Sequence, residues 1–421
     1  MSQYRYRATA CHQVDWECVR QQAAGERLIV PIDVAKEDFF MTLMSAEQTV
    51  LKTIKWRHPQ QTRWLIERLT SLEAESLEAV LEPSGTYGDA LGYQLRLAGA
   101  KVYRIGPKRV HDAAEVFDGV PSLHDAKAAY LIGRLHLQGV SQPWREVDER
   151  RRGLQAPLKR LEWARERYQR ALNRLEALLA RHWPEAPYCL DLQSVSLLRL
   201  LACYGDPAAV AADPETAGKQ LRQIGGHWLK SRKIEALLES AATTVGVPLV
   251  ADERALLEEL AQELLQSREY CRRIERYLAE QVRLEAGLRL LAQAVGHTTA
   301  VVLYCALGNP SHYSDAASYL KAAGLNLKER SSGKHKGQLK LTKRGPSVAR
   351  YYLYFAALRL IAQAGPAQRW YQAKVARDGG LKRKAIAALM RKLTKALWHV
   401  GQGARFDQAK LFGVREIAQA A

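Results

Sequence analysis

The sequence has no apolar run approaching the ~20 residues that a membrane-crossing helix needs. That excludes a helical membrane protein. Its opening, Met1 to Arg7, has no apolar core of the kind that marks a secretory signal. Cysteine is sparse: Cys11, Cys18, Cys189, Cys203, Cys271 and Cys305 are scattered through 421 residues, none at metal-ligand spacing. This argues against a zinc site and predicts buried free thiols in a reducing, cytoplasmic compartment. Acid is in short supply, with 44 Asp and Glu against 63 Lys and Arg, a formal net charge of +19. Such an excess predicts a polyanionic partner, nucleic acid before a membrane surface. Apolar residues are not lacking, at 47%, and the chain is long enough for two or three domains with real cores.

Residues 1–26 are polar without a clear period and read as a loose N-terminal arm. From residue 27 the pattern is strand (27–33), strand (38–44), strand (50–56), helix (58–72), strand (77–82), helix (91–98), strand (101–105) and a closing helix (124–137). Three antiparallel strands followed by two αβ units is the order of the RNase H-like fold. Asp33 ends the first of these strands and Glu82 the fourth, which are neighbours in that fold. A carboxylate at the end of an apolar run is costly to bury alone, and two facing carboxylates repel unless a cation lies between them. Their hard oxygens suit Mg²⁺. Asp125, at the start of the closing helix, is the candidate third acid. An Asp there also suits the first turn of any helix.

Beyond residue 145 the chain reads as mostly helical. Residues 146–184 carry a coiled-coil-like seam through Leu158, Leu161, Tyr168, Leu172, Leu175 and Leu179, and 251–293 a second through Leu257, Leu260, Leu264, Cys271, Ile274 and Leu278. The two predict a pair within the chain or a contact between subunits. A helical insert, 185–250, separates them. Its helix ending in Gly205-Asp206-Pro207 reads as a diverged copy of the later one ending in Gly308-Asn309-Pro310. Within the last domain, 294–405, the segment 328–350 holds eight cations, Lys328, Arg330, Lys334, Lys336, Lys340, Lys343, Arg344 and Arg350. Interleaved glycines and hydroxyls make it a candidate phosphate-binding site. Tyr351 to Ile361 reads as a core helix rather than a base-stacking platform, and Lys382 to Trp398 as a basic amphipathic helix. A tail, 406–421, closes the chain.

Four pieces, Ile32 to Lys36, Leu81 to Tyr87, the helix at Asp125, and Ser331 to Gly345, resemble the DEDD transposases of bacterial insertion sequences, specifically family one-hundred-and-ten, the bridge-RNA-guided serine recombinases. The resemblance covers roughly residues 27–400. It implies a RuvC-like DEDD domain over 27–145 and a C-terminal transposase domain. It also implies Mg²⁺ on Asp33, Glu82 and Asp125, and a nucleophilic serine, Ser332, with Ser331 the alternative. The implied partners are DNA (element ends and target), a bridge RNA, and further copies of the chain as a homodimer or tetramer. The family usually sets two Asp three residues apart on the closing helix. Here one is missing: Ala128 or Ser122 occupies its place according to the alignment chosen, and Asp118 or His124 is a candidate substitute. Two rival readings use the same residues. A Holliday-junction-type nuclease needs the acids and no serine, and a nucleic-acid-binding protein whose acidic site has decayed needs neither.

Overall fold

The computed structural model describes residues 6–83, 85–144, 148–329, 337 and 339–413. The chain divides into two compact units, Met1–Glu146 and Val147–Ala421.

The first unit is built on a seven-stranded mixed sheet. Its strands are β1 (Thr9–Ala10), β2 (Arg27–Asp33), β3 (Asp38–Ser45), β4 (Val50–Arg57), β5 (Ser76–Glu82), β6 (Lys101–Arg104) and β7 (Gln142–Pro143), in the spatial order β1-β4-β3-β2-β5-β6-β7. β2 and β3, and β3 and β4, are antiparallel, whereas β5 lies parallel to β2 and β6 parallel to β5. The helices are α1 (Trp16–Ala23), α2 (Thr62–Thr70), α3 (Asp89–Leu97), α4 (Pro107–Asp112) and α5 (Asp125–Leu137).

The two-residue alternation of a strand sorts β2 between two cores. Leu28, Val30 and Ile32 join Ala79 and Leu81 of β5 in a core covered by α1, α2 and α3. Ile29 and Val80 face the other way, into a core with Tyr130, Leu131, Ile132 and Leu135 of α5. Helices on both faces bury Leu28 to Ile32 of β2, which is why this stretch reads as a continuous apolar run. Close contact is possible because α5 crosses the sheet at Gly133. A Cβ there would fall 2.3 Å from Met44 Sδ and 2.9 Å from Pro31 Cγ.

Residues 9–23 are not a loose arm. β1 pairs with Ile54 and Lys55 of β4, and Cys11, Val14, Val19 and Ala23 are buried in the sheet core. Asp15 caps α1 by accepting from Cys18 N at 3.1 Å. The thiols also differ from expectation: all six cysteines are free, but only Cys11 and Cys305 are buried.

The second unit is helical. Its helices are α6 (Glu149–His182), α7 (Ala186–Cys189), α8 (Val195–Tyr204), α9 (Pro207–Ala212), α10 (Pro214–Gly225), α11 (Ser231–Ala242), α12 (Ala251–Arg283), α13 (Ala286–Val295), α14 (His297–Leu307), α15 (Ala316–Ala322), α16 (Ser347–Ala362), α17 (Pro366–Arg377), α18 (Lys382–Gly401) and α19 (Gln408–Phe412). The two seams pack against each other within the chain. Leu154 and Leu161 of α6 meet Ile274, Leu278 and Val282 of α12, and Leu172, Leu175 and Leu179 share a core with Leu257, Leu260 and Leu264. The helices therefore run antiparallel. The α8–α9 and α14–Pro310 junctions are similar: Gly205 (φ 59°) and Gly308 (φ 84°) each end a helix at a positive φ that favours glycine. Asp206 then caps the chain by accepting from Ala208 N, and Asn309 from Ser311 N, each before a proline. Ile386, Leu389, Leu393 and Leu397 of α18 are buried, as the amphipathic pattern predicts. No helix among the described residues is long and apolar enough to cross a membrane.

Candidate active site

Asp33 and Glu82 are direct partners in the parallel ladder of β2 and β5. By strand alternation both point to the α5 side, Asp33 following Ile29 and Pro31, Glu82 following Glu78 and Val80. Adjacent strands lie ~4.8 Å apart, so the two carboxyls are near neighbours at the carboxyl end of the central strands. Both are half-buried. Burial, and after it repulsion from Asp125, pushes the Asp33 carboxyl up to about 6, against the pull of the Val34 amide. Burial and then the Asp33 charge push Glu82 up to about 7. Asp125, the first residue of α5, is thus electrically within reach of Asp33 and is itself exposed.

The two candidate substitutes for the fourth acid, Asp118 and His124, already have partners within the fold. Asp118 accepts from Lys127 Nζ at 2.9 Å, from Val120 N at 3.0 Å and from the Tyr6 hydroxyl at 3.2 Å. The Lys127 hydrogen bond, ahead of the other partners, holds its carboxyl below the usual range. Lys127 is only 2% exposed and also donates to Val120 O at 2.7 Å. Asp118 therefore neutralises a buried cation, a partner that competes with any metal. His124 caps α5, its Nδ1 accepting from Lys127 N at 3.4 Å. Ala128 is buried and Ser122 exposed.

A second polar cluster, missed in the sequence, holds α5 in place. Glu78, 4% exposed, accepts from Arg27 Nε at 3.1 Å and Nη2 at 2.9 Å. His136 Nε2 lies 2.9 Å from the same carboxylate, and His136 Nδ1 lies 2.6 Å from Ser141 Oγ. Burial raises the Glu78 pKa, but the hydrogen bonds from Arg27 and then His136 outweigh it, and the net shift is downward. The signal was present: Glu78 and Glu82 are both acids on one face of an otherwise apolar strand.

Among the described residues, no three carboxylate, histidine or cysteine side chains form a closed metal cage. Mg²⁺ seldom uses one. It is held by one or two carboxylates, with water and substrate phosphate filling the octahedron. Two half-buried carboxyls, both with raised pKa values, fit that donor set.

The raised values have a consequence for stability. A carboxyl that holds its proton more tightly when folded contributes stability below the ordinary carboxylate pKa, and that contribution is lost as pH rises through the folded value. Metal-free protein is therefore expected to lose thermal stability between about pH 4 and pH 7 through this pair. Asp33→Asn and Glu82→Gln should each reduce that loss, raising Tm at pH 8 by roughly a few degrees. Mg²⁺ should raise the wild-type Tm at pH 8 and do little at pH 5. Melting curves in chelator and in Mg²⁺ check this. Equal pH slopes for wild type and Asp33→Asn would remove the electrostatic account.

In the second unit, Leu327–Lys328 pairs antiparallel with Lys340–Leu341. This ladder brackets the segment in which Ser331, Ser332, Arg330, Lys334 and Lys336 fall, all outside the described residues. Thr342 N donates to Asn326 O at 2.9 Å and Lys343 N to Gly324 O at 2.9 Å, closing the base of the hairpin. Lys328, Lys340, Lys343 and Arg344 are exposed, available to a polyanion. Arg350 is differently employed, donating to Gly345 O at 2.7 Å and bracing the hairpin against the chain.

Residues 30–184, which contain the three acids, match a transposase family profile of the DEDD type. Residues 292–372, which contain the basic hairpin, match the profile described as "Transposase IS116/IS110/IS902 family". In these two segments the chain is similar to transposases of the IS110/IS116 family. An "Insertion element IS116 uncharacterized 44.8 kDa protein" from Streptomyces clavuligerus is 25% identical over 396 residues, covering 89% of this chain and 94% of its own. Both regions singled out here, the acid pair and the basic hairpin, fall inside the matched segments.

Proposed function

We propose that this protein is a transposase, a metal-dependent DNA recombinase that mobilises its own insertion sequence, using an RNase H-like (RuvC-like) acidic domain and a serine nucleophile. The observation that carries the reading is the Asp33–Glu82 pair, side by side on adjacent strands with both carboxyl pKa values raised. The strand order, with β2 central, β3 and β4 antiparallel on one side and β5 and β6 parallel on the other, supports the RNase H-like assignment.

Asp33 and Glu82 would hold Mg²⁺, with Asp125 at the start of α5 contributing charge. When bound, the ion supplies charge stabilisation to a scissile phosphate and lowers the cost of developing oxyanion charge. Burial keeps the acid pair partly out of water, which strengthens every interaction made there. Ser332 would give its hydroxyl proton to water and bond through Oγ to phosphorus, as the bond from phosphorus to a DNA oxygen breaks and that oxygen takes up a proton to leave as a free hydroxyl end. Lys328, Arg330, Lys334, Lys336, Lys340, Lys343 and Arg344 would neutralise phosphate charge, with Arg350 supporting them. Strand exchange requires at least two active sites, so a homodimer or tetramer is the expected working form. Target choice would fall to a bridge RNA by base pairing, with the protein reading backbone and shape.

The test is incubation of the purified protein with element-end DNA, guide RNA and Mg²⁺. Cleavage that vanishes in chelator supports the reading, and absence of cleavage under all conditions defeats it. A further expectation concerns salt. With about six phosphates contacted, the log–log slope of duplex DNA affinity against salt should lie near −5. Titration at several salt concentrations measures it. A slope near zero removes the electrostatic role of the hairpin.

A further inference from the structure

Helix α16, directly after the basic hairpin, carries apolar side chains on every face. Such a helix is ordinarily enclosed all round. This one is buried along Ala349, Leu353, Ala356, Ala357 and Leu360. Its other side shows Tyr351 (59% exposed), Tyr354 (39%) and Phe355 (41%) to solvent, against the expectation of a core helix. The exposed rings touch one another: Tyr351 and Phe355 centroids are 4.8 Å apart, Tyr354 and Phe355 5.4 Å.

Two hollows flank these rings. One of about 940 Å³ extends from Tyr351 to Lys159 and Arg165 of α6. The other, about 530 Å³, extends from Tyr351 and Phe355 to Arg165 and Arg359. All three cations are exposed, and Arg165 Nη1 donates to the Tyr352 hydroxyl at 2.9 Å. Glu162 and Glu275 pair with Lys159 at 2.7 Å and Arg165 at 2.5 Å, across exposed ion pairs of little net strength. Contiguous exposed rings mark a surface that something covers.

We infer that this face of α16 is a stacking platform for an unpaired DNA strand. Bases lie on Tyr351 and Phe355, and phosphates run through the two hollows against Lys159, Arg165 and Arg359. The chemistry selects this occupant. An unpaired strand offers an aromatic face at each base and an anion at each linkage, which matches rings with Lys159, Arg165 and Arg359 beside them; Glu162, Glu166 and Glu275 share the same hollows. A duplex hides its base faces. The charge of the chain, +19, favours a polyanion over an apolar protein partner. DNA is the choice over RNA because strand cleavage opens DNA, a step that rests on the transposase reading above.

The experiment uses full-length protein in chelator, so that no cleavage occurs, with labelled mixed-sequence 20-nucleotide DNA, the same sequence as RNA, and the same sequence as duplex DNA. Fluorescence anisotropy gives each Kd. The Tyr351→Leu/Phe355→Leu variant should lose about tenfold or more in affinity for single-stranded DNA, with duplex affinity within about twofold of wild type. Tyr351→Phe/Phe355→Tyr, which keeps both rings, should retain it. If the double leucine variant melts early, Tyr351→Leu alone, at the most exposed ring, carries the same expectation at a smaller size. Unchanged single-strand affinity overturns the proposal, as does an equal loss on duplex. A loss confined to RNA reassigns the face to RNA and overturns it for DNA. A change of mass in solution with unchanged affinity shows that a second copy covers the rings. Metal-dependent cleavage by the wild type is scored separately: if it persists while the platform fails, only the platform is lost.

Discussion

Asp33→Asn is expected to abolish metal-dependent DNA cleavage, by a factor on the order of a thousand, while leaving the metal-free protein more stable than wild type. Asn fills the same space at the end of β2 but brings no charge to a site whose acids repel each other. Loss of a metal-held carboxylate removes several kcal/mol of charge stabilisation, and each 1.36 kcal/mol is worth about tenfold in rate. The opposite signs of the two effects are what make the test sharp. A variant that lost activity through unfolding would melt earlier, not later. Glu82→Gln should follow the same pattern, because its carboxyl is pushed up to about 7 by burial and the Asp33 charge. Asp125→Asn should lose less, since that residue is exposed at the helix start. Cleavage rates over a Mg²⁺ series, beside melting curves in chelator, decide it. A cleavage rate for Asp33→Asn equal to wild type would take this pair out of the chemistry.

Ser332→Ala is expected to eliminate the covalent protein–DNA product. A serine hydroxyl is a weak nucleophile until a base or metal activates it, so Asp33→Asn should eliminate the same product. Ser331→Ala should retain it. The measurement is a denaturant-resistant band formed with labelled element DNA, guide RNA and Mg²⁺. Should Ser331→Ala lose the band and Ser332→Ala keep it, the nucleophile moves one residue. A band in both variants excludes serine chemistry at this motif and leaves the Holliday-junction-type nuclease as the stronger reading. No cleavage by the unaltered protein would instead favour a decayed nucleic-acid-binding relative.

The central strands and both ends of the acid pair were legible in sequence because one physical rule governs them. A strand covered on both faces must be apolar throughout, so an acid at its end, as at Asp33 and Glu82, stands out. The edge pieces obey no such rule. β1 and β7 are two residues long, too short for a period, and α1 buries only Val19 and Ala23. Lys127 escaped because a lysine on a helix is ordinarily solvated, and only the fold shows that it is enclosed with Asp118. The rings of α16 misled for the converse reason. Composition ranks Tyr and Phe as core residues, and nothing local distinguishes an aromatic that faces inward from one that faces water.

The path of α5 sets a length standard for the site. The helix runs opposite to the central strands, from Asp125 beside Asp33 to His136 on Glu78, with Gly133 seated against Pro31 and Met44 between them. His136 and Gly133 fix the helix on the sheet, so the number of residues between them and Asp125 sets where that acid falls. Deleting one residue from this interval would turn the Asp125 end by about 100° relative to the His136 anchor and draw it back by ~1.5 Å. A single codon lost there would swing the acid away from its partners with every apolar residue kept.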